Sequence, residues 1–379
     1  MVESCADAQR VFEVIVMSVW NWADWIGAPD TRFQCTLGEG DTPLIPSRRI
    51  GPQAGLDNLY FKLETTNPTG SFKDRFAASA IAHMRAAGQT RCIATSSGNT
   101  GSSLAAYCAV AGISCEIVIV EPAPVGKLKQ MLAYGARLHR VRGFGLDSAI
   151  TRSTFECLEE ISDQPDAAMQ VSSFLWSAPG MHGVQSISLE LHQQLPDGVD
   201  YVFCQAGGGG LTRAVALGFQ QLVERGMLDR SPRVDCVQPE GNNTMAGPLR
   251  DGDARGQEVE STTRISGLQV ATVNEGHDVI AVCRSCGGSG HLVSDDQIWN
   301  VQRRLAREEG LFAEPAGATG LAGVLQAAAL GRLQRDDAVV CLITGSAFKD
   351  PVSLNDVLAP QDCPLMELQD LEQRLVAAD

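Results

Sequence analysis

The chain has 379 residues, 44% of them hydrophobic and 20% charged, with a formal net charge of -15. That length exceeds one typical domain of roughly 100 to 200 residues, and the composition is that of a globular protein, not a disordered or fibrous one. The negative field repels phosphate backbones and anionic lipid, and no Lys/Arg cluster interrupts it, so nucleic acid and membranes are excluded as partners.

The first apolar stretch, Val11 to Trp20, contains Glu13. It is far shorter than the roughly 20 residues of a membrane span, so it predicts a core helix and neither a signal nor an anchor. From Asn58 onward short β-rich runs alternate with longer helical patterns, the signature of α/β layers around a mainly parallel sheet. The predicted strands are Leu59 to Leu63, Cys92 to Thr95, Cys115 to Val120, Leu138 to Val141, Tyr201 to Gln205, Val234 to Gln238 and Val339 to Thr344. Most are short apolar runs, as strands covered on both faces should be. Helical spacing is kept by Phe76, Ala80, Ile81 and Met84, by Leu128, Met131 and Leu132, by the segment Leu211 to Val223, and by Ile298, Val301 and Leu305. Arg250 to Arg264 is polar, acidic and glycine-bearing, and reads as an exposed loop or flap that borders a site without containing one.

Several of the twelve cysteines (Cys92, Cys115, Cys204, Cys236 and Cys341) lie inside these apolar runs, where a free thiol behaves as a small hydrophobe. A reducing cytoplasm fits that usage. Cys283 and Cys286 form a C-x-x-C pair without the second pair or nearby histidines of a structural zinc site, so no metal is expected there.

Candidate chemistry gathers at the ends of strands. Lys73 is one of only five lysines and stands in Asn67-Pro68-Thr69-Gly70-Ser71-Phe72-Lys73-Asp74-Arg75, a turn-rich stretch between a strand and a helix. That is the edge where α/β enzymes bind ligands, although the residue taken alone reads equally as a solvated lysine in a first helical turn. The next strand ends in Ser96-Ser97-Gly98-Asn99-Thr100 and runs into an Ala-rich helix, whose backbone N–H groups and flanking hydroxyls suit a carboxylate or phosphate. After Gln205 come Gly207, Gly208, Gly209 and Gly210 at another helix start, where glycines let several N–H groups converge on one phosphate. The run lacks G-x-G-x-x-G spacing, so a nucleotide-binding protein is the weaker reading. Thr344 closes the last strong strand, at the same sheet edge.

These four segments, in this order, resemble the threonine synthase branch of the fold type II pyridoxal-phosphate enzymes, which also include serine/threonine dehydratases and cysteine synthases. Further matches are Leu37-Gly38-Glu39-Gly40-Asp41-Thr42-Pro43-Leu44, Gly126-Lys127-Leu128 and Phe312-Ala313-Glu314-Pro315-Ala316. The resemblance implies two doubly wound α/β domains with mainly parallel sheets and the cofactor in the cleft between them. Residues 1–60 and 175–379 would form the larger, cofactor-binding domain; residues 61–174 would form the smaller, carrying Lys73 and the Asn99 loop. It further implies that Lys73 holds pyridoxal phosphate as a Schiff base and that Asn99 bonds the ring oxygen. Gly207 to Gly210 would bind the phosphate, Thr344 would face the ring nitrogen, and Glu314 would line the ring. Ser96, Ser97, Asn99 and Thr100 would take the carboxylate of a small amino-acid substrate. A neutral Thr344 favours prompt loss of a leaving group, so the expected reaction is elimination or replacement at the β or γ carbon of an activated amino acid, carried out by a homodimer.

The resemblance departs in one segment. Threonine synthases carry an arginine before the glycine cradle that clamps the phosphate of O-phosphohomoserine, whereas no Lys or Arg occurs here from Val171 to Thr212. His182 is the new polar group there, with acid–base, leaving-group or structural roles open to it; Phe174 and Trp176 suggest a less charged pocket. A true threonine synthase would then need another cation, such as Lys127 or Arg75. A serine/threonine dehydratase is a further alternative. A non-catalytic binding protein on this fold is disfavoured, because it has no need of Lys73, Asn99, the cradle and Thr344 together.

Overall fold

The computed structural model describes residues 17–123, 125–358 and 363–376. The first part of the core helix expected over Val11 to Trp20 lies outside the described residues; its end enters a short 3-10 turn at Val19–Trp22. Strands β1 (Leu44–Pro46), β2 (Leu59–Leu63), β7 (Tyr201–Gln205), β8 (Arg233–Pro239), β9 (Gly290–Val293) and β10 (Val339–Ile343) form a sheet in the order β1-β2-β10-β7-β8-β9. Strands β3 (Arg91–Thr95), β4 (Ser114–Ile119), β5 (Arg137–Arg140) and β6 (Ala167–Met169) form a second, in the order β5-β4-β3-β6. Every pairing is parallel except that of β1 with β2. The fold is thus α/β with mainly parallel sheets, as the alternating pattern implies.

Every residue of the central strand β10, Val-Val-Cys-Leu-Ile, is buried, which is why it reads as a continuous apolar run. β1, β6 and β9 were not foreseen, because runs of three or four residues that include Pro46, Ala167 or His291 carry little β signal of their own. The boundary expected between residues 60 and 61 falls within β2, which pairs with β10 along its whole length.

The helices that matter to the site are α1 (Lys73–Ala86), α2 (Asn99–Ala111), α3 (Val125–Ala133), α4 (Phe174–Val184), α5 (Ser186–Gln194), α6 (Gly210–Glu224), α7 (Gly276–Ser285) and α8 (Pro315–Ala329). Helix α1 has no Gly or Pro and is rich in alanine, so it is strong in propensity and slim enough to be buried on nearly all sides. Helix α4 lies directly against it. A Cβ on Gly180 would come within 2.6 Å of the Phe76 ring, and one on Gly183 would run into the Arg75 carbonyl oxygen. The strand cysteines behave as core residues: Cys92 faces Cys115 across β3 and β4, and with Cys108 of α2 their sulfurs lie within 4.8 Å of one another. The Cys286 thiol donates to the Cys283 carbonyl at 3.1 Å. Among the described residues no helix is long and apolar enough to cross a membrane.

The first turn of α1 is held by a fully buried charge network. Arg75 has no exposed surface. It donates to Glu64 through Nε and Nη2, each at 2.7 Å, and to Glu190 of α5 through Nη1 at 2.5 Å and Nη2 at 2.8 Å. Lys62 of β2 donates to the same Glu190 at 2.6 Å. The loop before β1 joins in: Asp41 and Thr42 donate backbone N–H groups to Glu190, and the Thr42 hydroxyl donates to Glu64. Two cations meet two carboxylates, so the cluster is neutral, and its remaining oxygens are satisfied by these neighbours.

Removing one partner of such a cluster strands the opposite charges away from water, at a cost of about 3–5 kcal/mol. Arg75→Met should therefore lower the unfolding free energy obtained from urea denaturation by an amount of that order. The Arg75 and Lys62 cations hold the Glu190 carboxyl down from 4.5 to about 2 against the cost of its burial. A depressed folded value contributes stability above the unfolded one, lost as pH falls through the folded one. The gap between Arg75→Met and wild type should narrow as the pH is taken from about 4.5 toward about 2.

Candidate active site

Parallel strands deliver their following loops to one edge of a sheet, and the loops after β2, β3, β7 and β10 meet at one cleft of about 320 Å³. Lys73, Ser96, Ser97, Asn99, Thr100, Gly207 to Gly210, Glu314 and Thr344 all line it. A larger hollow of about 730 Å³ lies at Tyr201 and Arg233, the opposite ends of β7 and β8, and gathers none of these groups.

Backbone pairing brings three of the loops together. Phe72 N–H donates to the Thr344 carbonyl at 3.1 Å, Ser346 N–H to Gly70 at 2.9 Å, and Glu314 N–H to Gly345 at 2.9 Å. The loop after β10 is therefore clamped between the Lys73 turn and the start of α8. A Cβ on Gly345 would displace the Glu314 carboxylate, so glycine there lets that carboxylate lie against the loop.

The Lys73 amine donates to the Ser172 hydroxyl at 2.6 Å and lies 4.4 Å from the centre of the Phe72 ring. Burial pushes it down to about 8, and the carboxylates of Glu275 and Glu314 restrain the fall. A large part of this lysine is thus in its nucleophilic free-base form at mildly alkaline pH. The Asn99 amide donates to Glu314 at 2.6 Å, joining the α2 start to the α8 start across the cleft. The Ser96 hydroxyl accepts the Gly98 and Gly101 N–H groups at 3.2 and 3.1 Å. Gln205 donates to the Thr344 hydroxyl oxygen at 2.5 Å. That leaves the hydroxyl proton of Thr344 to be given to an acceptor in the cleft.

The glycine run forms a cradle at the start of α6. Gly209 has φ of +100°, which other residues adopt only with strain, and a Cβ there would be 2.6 Å from the Val279 side chain. A Cβ on Gly207 would be 2.7 Å from the Gly267 carbonyl oxygen. The space kept open is at a helix N-terminus, where unpaired N–H groups bind phosphate. A buried amine, a phosphate-sized cradle and a neutral hydroxyl donor in one cleft form the donor set that pyridoxal phosphate requires, so the residues present fit that group.

His182 does not line this cleft. Its ring centre is 5.9 Å from that of Phe174, and burial together with His83 pushes its imidazole below the ordinary value. Phe174 stays out of the cleft wall as well, under the Arg213 guanidinium at 4.7 Å, whereas Trp176 does line it. Arg75 is spent in its buried network and cannot serve a ligand, and the side chain of Lys127 lies outside the described residues.

The sequence reading missed Ser172, Gln205, Glu275 and Lys349, all of which line the cleft. Lys349 donates to the Thr69 carbonyl at 3.1 Å and to Gln130 of α3 at 2.5 Å. Its position in the motif after Thr344 was the one available signal. The polar segment Arg250 to Arg264 stops short of the cleft; the residues that follow it, Ser266 to Leu268 and Asn274 to Glu275, form the wall.

Residues 35–345 match the family of pyridoxal-phosphate dependent enzymes. Among characterised relatives, a threonine synthase of Methanosarcina acetivorans is 31% identical over 348 residues, covering 90% of this chain and 82% of its own. A threonine synthase of Mycobacterium bovis is 30% identical, covering 91% of this chain and 92% of its own. Among solved structures, the processed threonine deaminase isoform 2 of Solanum lycopersicum superposes with a TM-score of 0.71 at 23% identity, over 90% of this chain and 93% of that one. Maize serine racemase superposes with a TM-score of 0.68 at 21% identity, over 96% and 97%. With the fold, the cleft and these relatives in agreement, the chain belongs to the pyridoxal-phosphate dependent enzymes, as a threonine-synthase-like member of that family.

Proposed function

We propose that Lys73 carries the cofactor and that the enzyme eliminates or replaces a β or γ substituent of an activated amino acid, with a leaving group such as phosphate or hydroxyl. The observation that carries the reading is the meeting of Lys73, the glycine cradle and Thr344 in one cleft. When bound, the cofactor supplies the electron sink that makes the substrate's Cα–H bond acidic. Gly207 to Gly210 hold its phosphate with backbone N–H groups. Lys73 Nζ would hold the cofactor and, as a free amine, would take the Cα proton, a role favoured by burial that lowers its affinity for protons. Asn99 bonds the ring oxygen while Glu314 fixes the Asn99 amide and lines the ring. Ser96, Ser97 and Thr100, with Asn99, take the substrate carboxylate at the start of α2. Thr344, oriented by Gln205, would offer its hydroxyl proton to the ring nitrogen.

A true threonine synthase acting on O-phosphohomoserine gains support from Lys349, a second cation on the cleft wall whose bonds run to neutral oxygens. Lys349 can stand in for the arginine that the segment after Val171 lacks. A cytoplasmic setting is supported by the cysteines among the described residues, all of them free thiols. A homodimer is the assembly that the family resemblance implies.

Wild-type protein mixed with pyridoxal phosphate should develop the visible absorbance of the lysine-bound cofactor, and Lys73→Ala should not. A wild-type protein without that band would sink the reading. The rate of loading should rise with pH and level off above about 8, since the free amine is the reactive form and Lys73 loses its proton there. Gly209→Ala should weaken cofactor binding by about tenfold or more in equilibrium dialysis, because the positive φ and the Val279 contact both oppose a side chain. Lys349→Met should raise KM for O-phosphohomoserine about tenfold, the worth of one charge-assisted hydrogen bond, and leave KM for serine unchanged.

A further inference from the structure

One acidic group in the cleft has no part in the roles above. Glu275, at the start of α7, is 2% exposed. Its Oε1 accepts the Phe174 N–H at 2.5 Å and lies 3.3 Å from Arg213 Nη1. Its Oε2 is buried and has no hydrogen-bond partner. That oxygen lies 3.0 Å from where a Cβ on Gly210 would stand, so it faces the last residue of the glycine cradle.

An unpartnered anionic oxygen out of water is costly, and one set against a bound phosphate would also repel it. A protonated oxygen at the same place has an O–H that needs an acceptor, and a phosphate oxygen is a strong one. Both difficulties are removed by one proton. We propose that Glu275 is protonated on Oε2 and donates a hydrogen bond to the phosphate group held by Gly207 to Gly210, adding an acid donor to the backbone N–H groups of the cradle. The proposal rests on the assignment of that cradle to the cofactor phosphate.

The charges around Glu275 are consistent with this state. From α6, Arg213 divides its guanidinium between Glu275 at 3.3 Å and Asp278 of α7 at 3.0 Å, so its charge is shared with a second carboxylate. From α1, Lys73 acts on Glu275 across the cleft, and on α4 the His182 ring centre lies 5.9 Å from that of Phe174, whose backbone N–H Glu275 accepts. Burial outweighs the Phe174 N–H, Arg213 and the Ser173 hydroxyl, and raises the Glu275 carboxyl above its ordinary value.

Pyridoxine 5'-phosphate carries the phosphate but no aldehyde, so it probes the cradle without condensing on Lys73. Its affinity for wild type and for Glu275→Gln, freed of cofactor, should be measured by equilibrium dialysis across the neutral range. The glutamine keeps a donor and never ionises. The two proteins should bind alike on the acid side; as pH rises, wild type should lose affinity relative to the variant, by up to about tenfold per pH unit. A ratio of affinities that stays constant with pH would overturn the inference and leave the cofactor assignment standing. Failure of folded wild type to bind the probe at any pH would remove the cofactor assignment, and this inference with it. Should the variant not fold, the phosphorus resonance of the probe on wild type carries the same test: a second titration step besides that of the phosphate supports the shared proton, and a single step overturns it.

Discussion

The buried guanidinium of Arg75 is the contact on which the rest of the site depends. It stands two residues beyond Lys73 in the first turn of α1 and binds Glu64, just after β2, and Glu190, on α5. One side chain therefore ties the helix that bears the cleft's amine to the larger sheet and to the loop before β1. Such a cluster is weak evidence of net stability, because desolvating four charges offsets most of their attraction. Its value here is positional. With both carboxylates and both cations satisfied in a single arrangement, the start of α1 has one register, and the lysine has one direction.

Around that anchor the cleft is assembled from backbone as much as from side chains. The loop after β10 is bridged on one side to the Lys73 turn and on the other to the start of α8. Glycine occurs where a second backbone or carboxylate approaches: at Gly345 beside Glu314, and at Gly207 beside Gly267. The electrostatics are balanced in the same compact way. Lys73 and Lys349 share the cleft with the acidic groups Glu275 and Glu314, so its cations do not stand as an unopposed positive cluster. A group that brings a phosphate must then find donors in N–H groups and neutral hydroxyls, which the starts of α2 and α6 supply.

The segment that departs from the threonine synthase pattern is packed closely on α1. The segment that would carry a phosphate-clamping arginine is here the helix α4, whose Gly180 and Gly183 lie too close to α1 for any side chain. His182, between them in sequence, does not line the cleft. The second cation of the cleft comes from the far end of the chain, at Lys349.

What the sequence determined by itself was the periodic and the local: the α/β alternation, the buried parallel strands, and the four strand ends that carry Lys73, Asn99, the glycine run and Thr344. These are legible because each is written in consecutive residues, as an apolar run or a turn with its own backbone demand. Only the tertiary structure decided which distant groups face them. Glu275 and Lys349 meet the cleft, while His182 leaves it and Arg75 is buried in an ion cluster, because a charged residue's role is set by what lies within a few ångströms of it. Those neighbours come from elements about a hundred or more positions away, as Arg75 with Glu190 and Phe174 with Glu275 are, and no local pattern records them.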